Sequence, residues 1–186
     1  MTPSTADAEY ARFAREYLDW YYATHPVRAT SLGLHAHDAR LPELSAEALE
    51  RKREALHGWL ARLERLDRSA LTGDAVFDVR ILENALRADL LELEEVRGWR
   101  RDPMLYNGTI VQGLSSLSSR EFAPVEERMR SLMARMEQVP AVVAAAKANL
   151  EDVPRPWAEQ ALRDTLGTVR YLREDLMQAL EAQGLA

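Results

Sequence analysis

The stretch that decides the fold is DAVFDVRILENALRADLLELEEV, residues 74–96. Its apolar side chains recur every three or four residues, which is the spacing of one face of an α-helix. The stripe consists of Val76, Val79, Leu82, Leu86, Leu90, Leu93 and Val96. Charged side chains such as Arg80, Arg87 and Glu94 occupy the other side, so the segment predicts a long amphipathic helix. Gly98 and Pro103 are expected to close it.

Other segments repeat this helical spacing. A first helix, from about residue 7 to residue 24, is predicted to carry the aromatic side chains Phe13, Tyr17, Trp20 and Tyr21, and another begins after residue 45. Residues 125–150 predict a helix that Pro140 interrupts or kinks, followed by an alanine-rich helix. The last helix is predicted to carry a stripe of Leu162, Leu166, Val169, Leu172, Leu176 and Leu180. Residues 100–124 are the least regular and predict a loop with a short helix around residues 110–117.

The whole pattern predicts an all-α protein. No segment shows the sustained alternation of apolar and polar residues that indicates a half-buried strand. We therefore expect an array of about six to eight helices, three or four of them long and amphipathic, with no sheet. The length of 186 residues, of which 47% are hydrophobic and 29% charged, predicts a single globular domain over residues 1–186.

Composition disfavours several classes of function. The net charge is −6, and basic residues alternate with acidic ones instead of forming a patch, so we expect no binding to nucleic acid or to a membrane surface. The chain has no cysteine, which excludes disulfides and thiolate chemistry. It shows neither a signal peptide nor a run of apolar residues long enough to span a membrane, so a cytoplasmic location is expected.

Two clusters could bind a metal. Glu54 and His57 form an E-x-x-H pair, which carboxylate-bridged di-metal bundles use twice, but no other histidine has a glutamate three residues before it. A solvated helix surface is the favoured interpretation, and a di-metal bundle remains an alternative.

His35, His37 and Asp38 form the second cluster. Two histidines spaced by two could share a metal in an extended segment, with Asp38 orienting an imidazole. Zinc catalysis requires a third protein ligand, and the sequence offers none nearby. A turn held by hydrogen bonds between two helices is the favoured interpretation. No catalytic motif occurs elsewhere, so we expect no catalytic residue, no metal ligand and no cofactor in this chain.

The order of motifs resembles a known family. FAREYLDWYY (residues 13–22) is followed by HPVRATSLGLHAHDARLPELS (residues 25–45), then by RRDPMLY (residues 100–106) and by ARMEQVPAVVAAAKANL (residues 134–150). This order resembles the N-terminal part of a bacterial family called domain of unknown function 885 (DUF885), whose members are similar to helical zinc metallopeptidases. The matching positions are Pro26, Ala29, Thr30, Gly33, His35 and Asp38 in the first motif, and Asp102, Pro103 and Tyr106 in the second. The family commonly has an aromatic residue where this sequence has His37.

The resemblance implies a protein about three times as long. A later His-Glu…Pro-Gly-His motif would bind zinc and supply a general base there, and neither motif half occurs in these residues. This chain would then form one wall or lid of a substrate cleft without hydrolytic activity of its own. Its partner would be the catalytic half or a second copy. The substrate of the full protein would be a peptide. The candidate cleft or signature residues are His35, Asp38, Arg101, Asp102 and Tyr106. A stand-alone helical interaction module is the alternative.

Overall fold

The computed structural model describes residues 4–182, and this part of the chain contains helices and no β-strand. In chain order the helices are α1 (Thr5–Thr24), α2 (Pro26–Ser31), α3 (Ala46–Glu64), α4 (Ala75–Leu91), α5 (Gly98–Arg101), α6 (Pro103–Ser118), α7 (Val125–Met136), α8 (Val139–Asn149), α9 (Arg155–Arg170) and α10 (Leu176–Ala182). Seven of those described have eleven or more residues, which confirms the predicted helical array. Two continue in a wider π-helical turn: α4 through Glu92–Val96, and α9 through Tyr171–Asp175 into α10.

The chain divides into two compact units. The first contains residues 4–21 and 47–97, and the second contains residues 22–46 and 98–182. The single domain expected over residues 1–186 stays a prediction, because a division into units does not measure whether they unfold together. None of the helices described within residues 4–182 is long and apolar enough to cross a membrane.

The first unit has a core that α1, α3 and α4 share. Its buried side chains are Tyr10, Phe13, Tyr17, Leu56, Leu63, Leu71, Val79, Leu86 and Leu90. The aromatic side chains predicted for α1 meet α3 at Trp59, whose ring lies 5.6 Å from Phe13 and 5.7 Å from Tyr17 in edge-to-face geometry. Such aromatic pairs add about 0.5–1.5 kcal/mol each beyond the area they bury.

The start of α1 is fixed by a reciprocal cap. The backbone N–H of Asp7 donates to the Ser4 hydroxyl (3.0 Å), while the Ser4 N–H donates to the Asp7 carboxylate (2.9 Å). The same carboxylate accepts from the N–H and the hydroxyl of Thr72, at 2.8 and 2.6 Å. Asp7 therefore joins the first turn of α1 to the segment that precedes α4.

The second unit is built around α6. Its buried apolar side chains are Leu41, Tyr106, Ile110, Leu114, Leu117, Met129, Leu132, Val142, Ala145 and Leu176. The break expected at Pro140 is present, since α7 ends at Met136 and α8 starts at Val139 with the proline in its first turn.

The short helix predicted around residues 110–117 is present, but it is part of the longer α6, Pro103–Ser118, so the loop predicted before it is wrong from residue 103 onward. The Asp102 side chain accepts a hydrogen bond from the Met104 N–H at 2.9 Å, and Pro103 takes the first helical position. Small residues then serve close packing: a Cβ on Gly113 would lie 2.5 Å from the Leu41 side chain. The glycines and serines that suggested a loop therefore belong to a buried helix.

Candidate functional site

The segment between α1 and α3 forms a tight connector. Pro26 starts α2, which ends at Ser31, and Gly33 follows with a φ of 82° that favours glycine. One 3₁₀ turn, His35–His37, then places Asp38 back over α2. The Asp38 carboxylate is buried and accepts a 2.6 Å hydrogen bond from the Thr30 hydroxyl.

Arg135 of α7 completes a buried hydrogen-bonded network with Thr30 and Asp38. Its Nη2 donates to the Thr30 hydroxyl at 2.6 Å, and its Nη1 donates to the Gly113 carbonyl of α6. The side chain is fully buried, and Nε is an atom without a hydrogen-bond partner among the described residues. Burial lowers the pKa of Arg135 to about 10, and the negative charge of Asp38 opposes that decrease. Arg135 is therefore a cation at neutral pH, linked to Asp38 through one hydroxyl.

His35 lies at the outer end of this network. Its Nδ1 is 2.8 Å from the second carboxylate oxygen of Asp38, and its ring stacks on Phe122 with 3.9 Å between the centroids. The His35 side chain is 37% exposed. His37 is half-buried, and within residues 4–182 no three His, Asp or Glu side chains are grouped so that they could hold a metal ion. His35, Asp38, Thr30 and Arg135 therefore interact through charge pairing and hydrogen bonding.

The second motif forms a separate polar contact in the same unit. The Tyr106 hydroxyl donates to the Trp99 carbonyl and accepts from Asn149 Nδ2 at 3.1 Å, and Asn149 also donates to the Leu44 carbonyl at 2.7 Å. Burial raises the pKa of Tyr106. Asp102 caps α6, as described above, whereas Arg101 is exposed at the end of α5.

Sequence reasoning missed the residues of α7 and α8, and of the segment between them, that bond to the first motif. Arg135 and Asn149 reach the first motif at Thr30 and at the Leu44 carbonyl. Gln138 reaches it as well, accepting from the Leu41 N–H at 2.9 Å. A signal was available, because each residue lies on a helix face where apolar residues are expected. Arg135 shares a face of α7 with Leu132, and Asn149 shares a face of α8 with Val142 and Ala145.

The other candidate pair does not form a shared site. His57 is exposed, and its Nε2 lies 2.7 Å from Oε1 of Glu94 in the turn that follows α4. Arg53 donates to the same oxygen at 3.3 Å. Glu54 is exposed in the middle of α3. The structure thus pairs His57 with Glu94 in a surface ion-pair network and offers no support for a di-metal centre.

The last long helix shows an unexpected surface. Of the stripe predicted for residues 162–180, Leu176 is buried, whereas Leu162 and Leu166 are 64% and 63% exposed. Val169 is 41% exposed, and Met177 in α10 is 50% exposed. Leu180 lies outside the part of the chain whose side chains are described. The exposed side chains Leu162, Leu166 and Val169 form a surface that is named the α9 face.

Comparison with protein families gives a match over residues 26–184 to the family described as bacterial protein of unknown function, DUF885. The chain belongs to the DUF885 family. The family predicted from the sequence is therefore confirmed, and the match covers both the connector and the motif at Asp102 and Tyr106. The similarity of the family to zinc metallopeptidases stays a prediction.

Among solved structures, this DUF885 chain is similar to one described as "a putative lipoprotein of unknown function from Shewanella oneidensis". The two share 25% sequence identity and superpose with a TM-score of 0.85 over 95% of this chain. The match covers 32% of the Shewanella chain, so this chain spans about a third of that protein's length. No curated protein matches this sequence.

Proposed function

We propose that this chain is a non-catalytic helical region of a longer DUF885 architecture, in which it forms one wall or lid of a substrate cleft. The observation that carries the proposal is the unequal coverage: 95% of this chain matches 32% of the Shewanella protein, at a TM-score of 0.85. The same helices thus occur there beside a much larger remainder. By the family resemblance, that remainder supplies the zinc site and the general base of a metallopeptidase-like enzyme, and this part of it supplies shape.

The α9 face supports this proposal. Leu162, Leu166 and Val169 follow each other at steps of four and three residues, which places them on one side of the helix. Exposed apolar patches of this kind mark surfaces that another protein segment covers. We expect the remainder of the DUF885 architecture to pack on the α9 face, and in its absence we expect a second copy to do so.

The buried polar contacts support a structural role for the signature residues. The hydrogen-bonded network of His35, Asp38, Thr30 and Arg135 lies largely inside the second unit, and Tyr106 is buried. Buried charged networks fix one packing arrangement when their members are paired. We infer that these residues hold the connector against α6 and α7, and that a peptide substrate would contact other parts of the wall.

The location belongs to the same proposal. The cytoplasmic location expected from composition stays a prediction. The Shewanella protein is described as "a putative lipoprotein", and we propose that this chain belongs in the same setting as that protein.

Two measurements test the proposed function. Incubation with zinc, followed by metal analysis and a peptidase assay, should give neither stoichiometric zinc nor turnover. Stoichiometric zinc together with turnover would contradict a non-catalytic role.

Sedimentation velocity tests the α9 face. The wild-type chain should self-associate at micromolar concentration, and Leu166→Lys should be monomeric because a charge then lies within the apolar patch. Gln160→Lys is the matched control, since it adds the same charge at an exposed position of α9 that is not three or four residues from Leu162, Leu166 or Val169, and it should behave as the wild type. A monomeric wild-type chain would favour the alternative, a stand-alone interaction module that does not expose a large partner surface.

A further inference from the structure

A groove of about 710 Å³ runs along the first unit, far larger than a packing defect. All the residues that line it belong to α1 or α4, from Asp7 to Tyr21 on one helix and from Ala75 to Asp89 on the other. Each stretch covers fourteen helical steps, so the groove is about 21 Å long at 1.5 Å per residue. That is the length of about four turns of a third helix.

The walls of the groove suit close approach of a helix. Five alanines line it, namely Ala11, Ala14, Ala75, Ala85 and Ala88. Small side chains let helix backbones come close. The alanines of each helix are separated by three residues, or by ten, which is a sum of steps of three and four, so they lie on one side of that helix. Larger side chains line it as well, with Leu18 at 42% and Ile81 at 65% exposure; the others are Leu82, Tyr10, Tyr17 and Tyr21. The surface is apolar, elongated and open, as grooves that receive amphipathic helices are.

The charge of the groove is negative. Asp7, Asp78 and Asp89 line it, whereas no lysine or arginine is among its lining residues. Asp78 is exposed. Burial raises the pKa of the nearby Tyr10 hydroxyl, and the negative charge of Asp78 adds to that increase. Asp89 is half-buried and interacts with the charge of Lys52, which partly balances it.

We propose that the groove between α1 and α4 is a docking site for one amphipathic helix of a protein partner, with alanine and leucine facing the groove and lysine or arginine beside Asp78 and Asp89. The apolar walls would supply most of the affinity, and the carboxylates would select a basic partner over an acidic one. The groove belongs to the first unit and the α9 face to the second, so this proposal does not depend on the proposed function.

Two synthetic peptides test the proposal against the full chain. The first has 18 residues, with a leucine and alanine face flanked by lysines, and the second carries glutamate at every lysine position. Fluorescence anisotropy of the labelled peptides should give micromolar binding for the lysine peptide and at least tenfold weaker binding for the glutamate peptide. The affinity of the lysine peptide should fall as salt is added. Equal affinities, or no binding of the lysine peptide, would overturn the proposal.

Two variants locate the binding surface. Ala85→Lys places a long cationic side chain in the groove and should weaken binding of the lysine peptide at least tenfold. Val76→Lys adds the same charge at an exposed position of α4 that neither lines the groove nor lies three or four residues from a lining residue, and it should change the affinity less than threefold. Similar effects of both variants would place the peptide elsewhere and overturn the proposal. Loss of self-association in Ala85→Lys alone would instead identify a second copy as the occupant.

Discussion

Arg135 and Thr30 are 105 positions apart in the sequence, and the Arg135 guanidinium donates a 2.6 Å hydrogen bond to the Thr30 hydroxyl inside the second unit. The Thr30 hydroxyl in turn donates to Asp38 at 2.6 Å. One hydroxyl therefore lies between a buried cation and a buried carboxylate. This geometry fixes the connector to α7.

Removing the cation should destabilise the chain. Arg135→Met keeps most of the side-chain volume but leaves the Gly113 carbonyl and the Thr30 hydroxyl without their donor and Asp38 without its nearby cation. We expect a loss of about 3 kcal/mol in the free energy of unfolding, measured by urea denaturation. Arg130→Met, at an exposed position of the same helix, should change it by less than about 0.5 kcal/mol. Equal effects would show that the buried contacts contribute nothing.

Removing the hydroxyl should have a related effect. Thr30→Val preserves the shape of the side chain and leaves Asp38 Oδ1 without this donor, at a cost of roughly 2 kcal/mol. Thr30→Ser retains the hydroxyl and should cost less. Because Thr30 and Arg135 share a bond, the double variant Thr30→Val/Arg135→Met should lose at least about 1 kcal/mol less than the sum of the single losses. Additive losses would contradict a coupled network.

The sequence predicted the helices well because periodicity reports which side chains share a face. It did not identify which apolar faces meet a partner within this chain. The stripe on α4 contains buried Val79 and Leu86 but also exposed Val76, and Leu162 in the last helix is exposed as well. The local spacing of apolar residues is the same in each case. Burial differs because it depends on which other helix lies opposite that face.

The polar contacts of the second unit were only partly predictable. His35 and Asp38 stand close together in the sequence, so their pairing was a natural hypothesis. Arg135 and Asn149 come from distant helices, and a charged or amide side chain in a helix is usually solvated. Only the three-dimensional arrangement shows that both are buried and that each bonds to the first motif.

Gly113 should be intolerant of even one added carbon. Gly113→Ala improves helix propensity, but the new methyl would lie 2.5 Å from Leu41 Cδ2, and Leu41 is itself buried. We expect the overpacking to prevail and to destabilise the chain by about 1–3 kcal/mol in thermal or urea unfolding. Gly108→Ala in the same helix meets no atom within 4 Å and should be neutral or stabilising by up to about 1 kcal/mol. The reverse order of stability would contradict the close packing of α6 against the connector.

Acid should selectively weaken the cap that joins α1 to the segment before α4. Hydrogen bonds from the hydroxyl and the N–H of Thr72, and then from the Ser4 N–H, hold the pKa of Asp7 well below its usual range. A carboxylate with a lowered pKa in the folded chain stabilises it above the unfolded pKa of about 3.9, and this contribution is lost as the pH falls toward the folded pKa. Asp7→Asn should therefore be less stable than the wild type at pH 7, and the difference should shrink steadily below about pH 4.

The measurement is urea unfolding of both chains at several pH values between 7 and 3. Asp74→Asn is the matched control, because Asp74 precedes α4 and its side chain makes no capping hydrogen bond. Its effect should be small at each pH. A difference between Asp7→Asn and the wild type that stays constant down to pH 3 would contradict this prediction, because the contribution of Asp7 to the cap would then not depend on its ionisation.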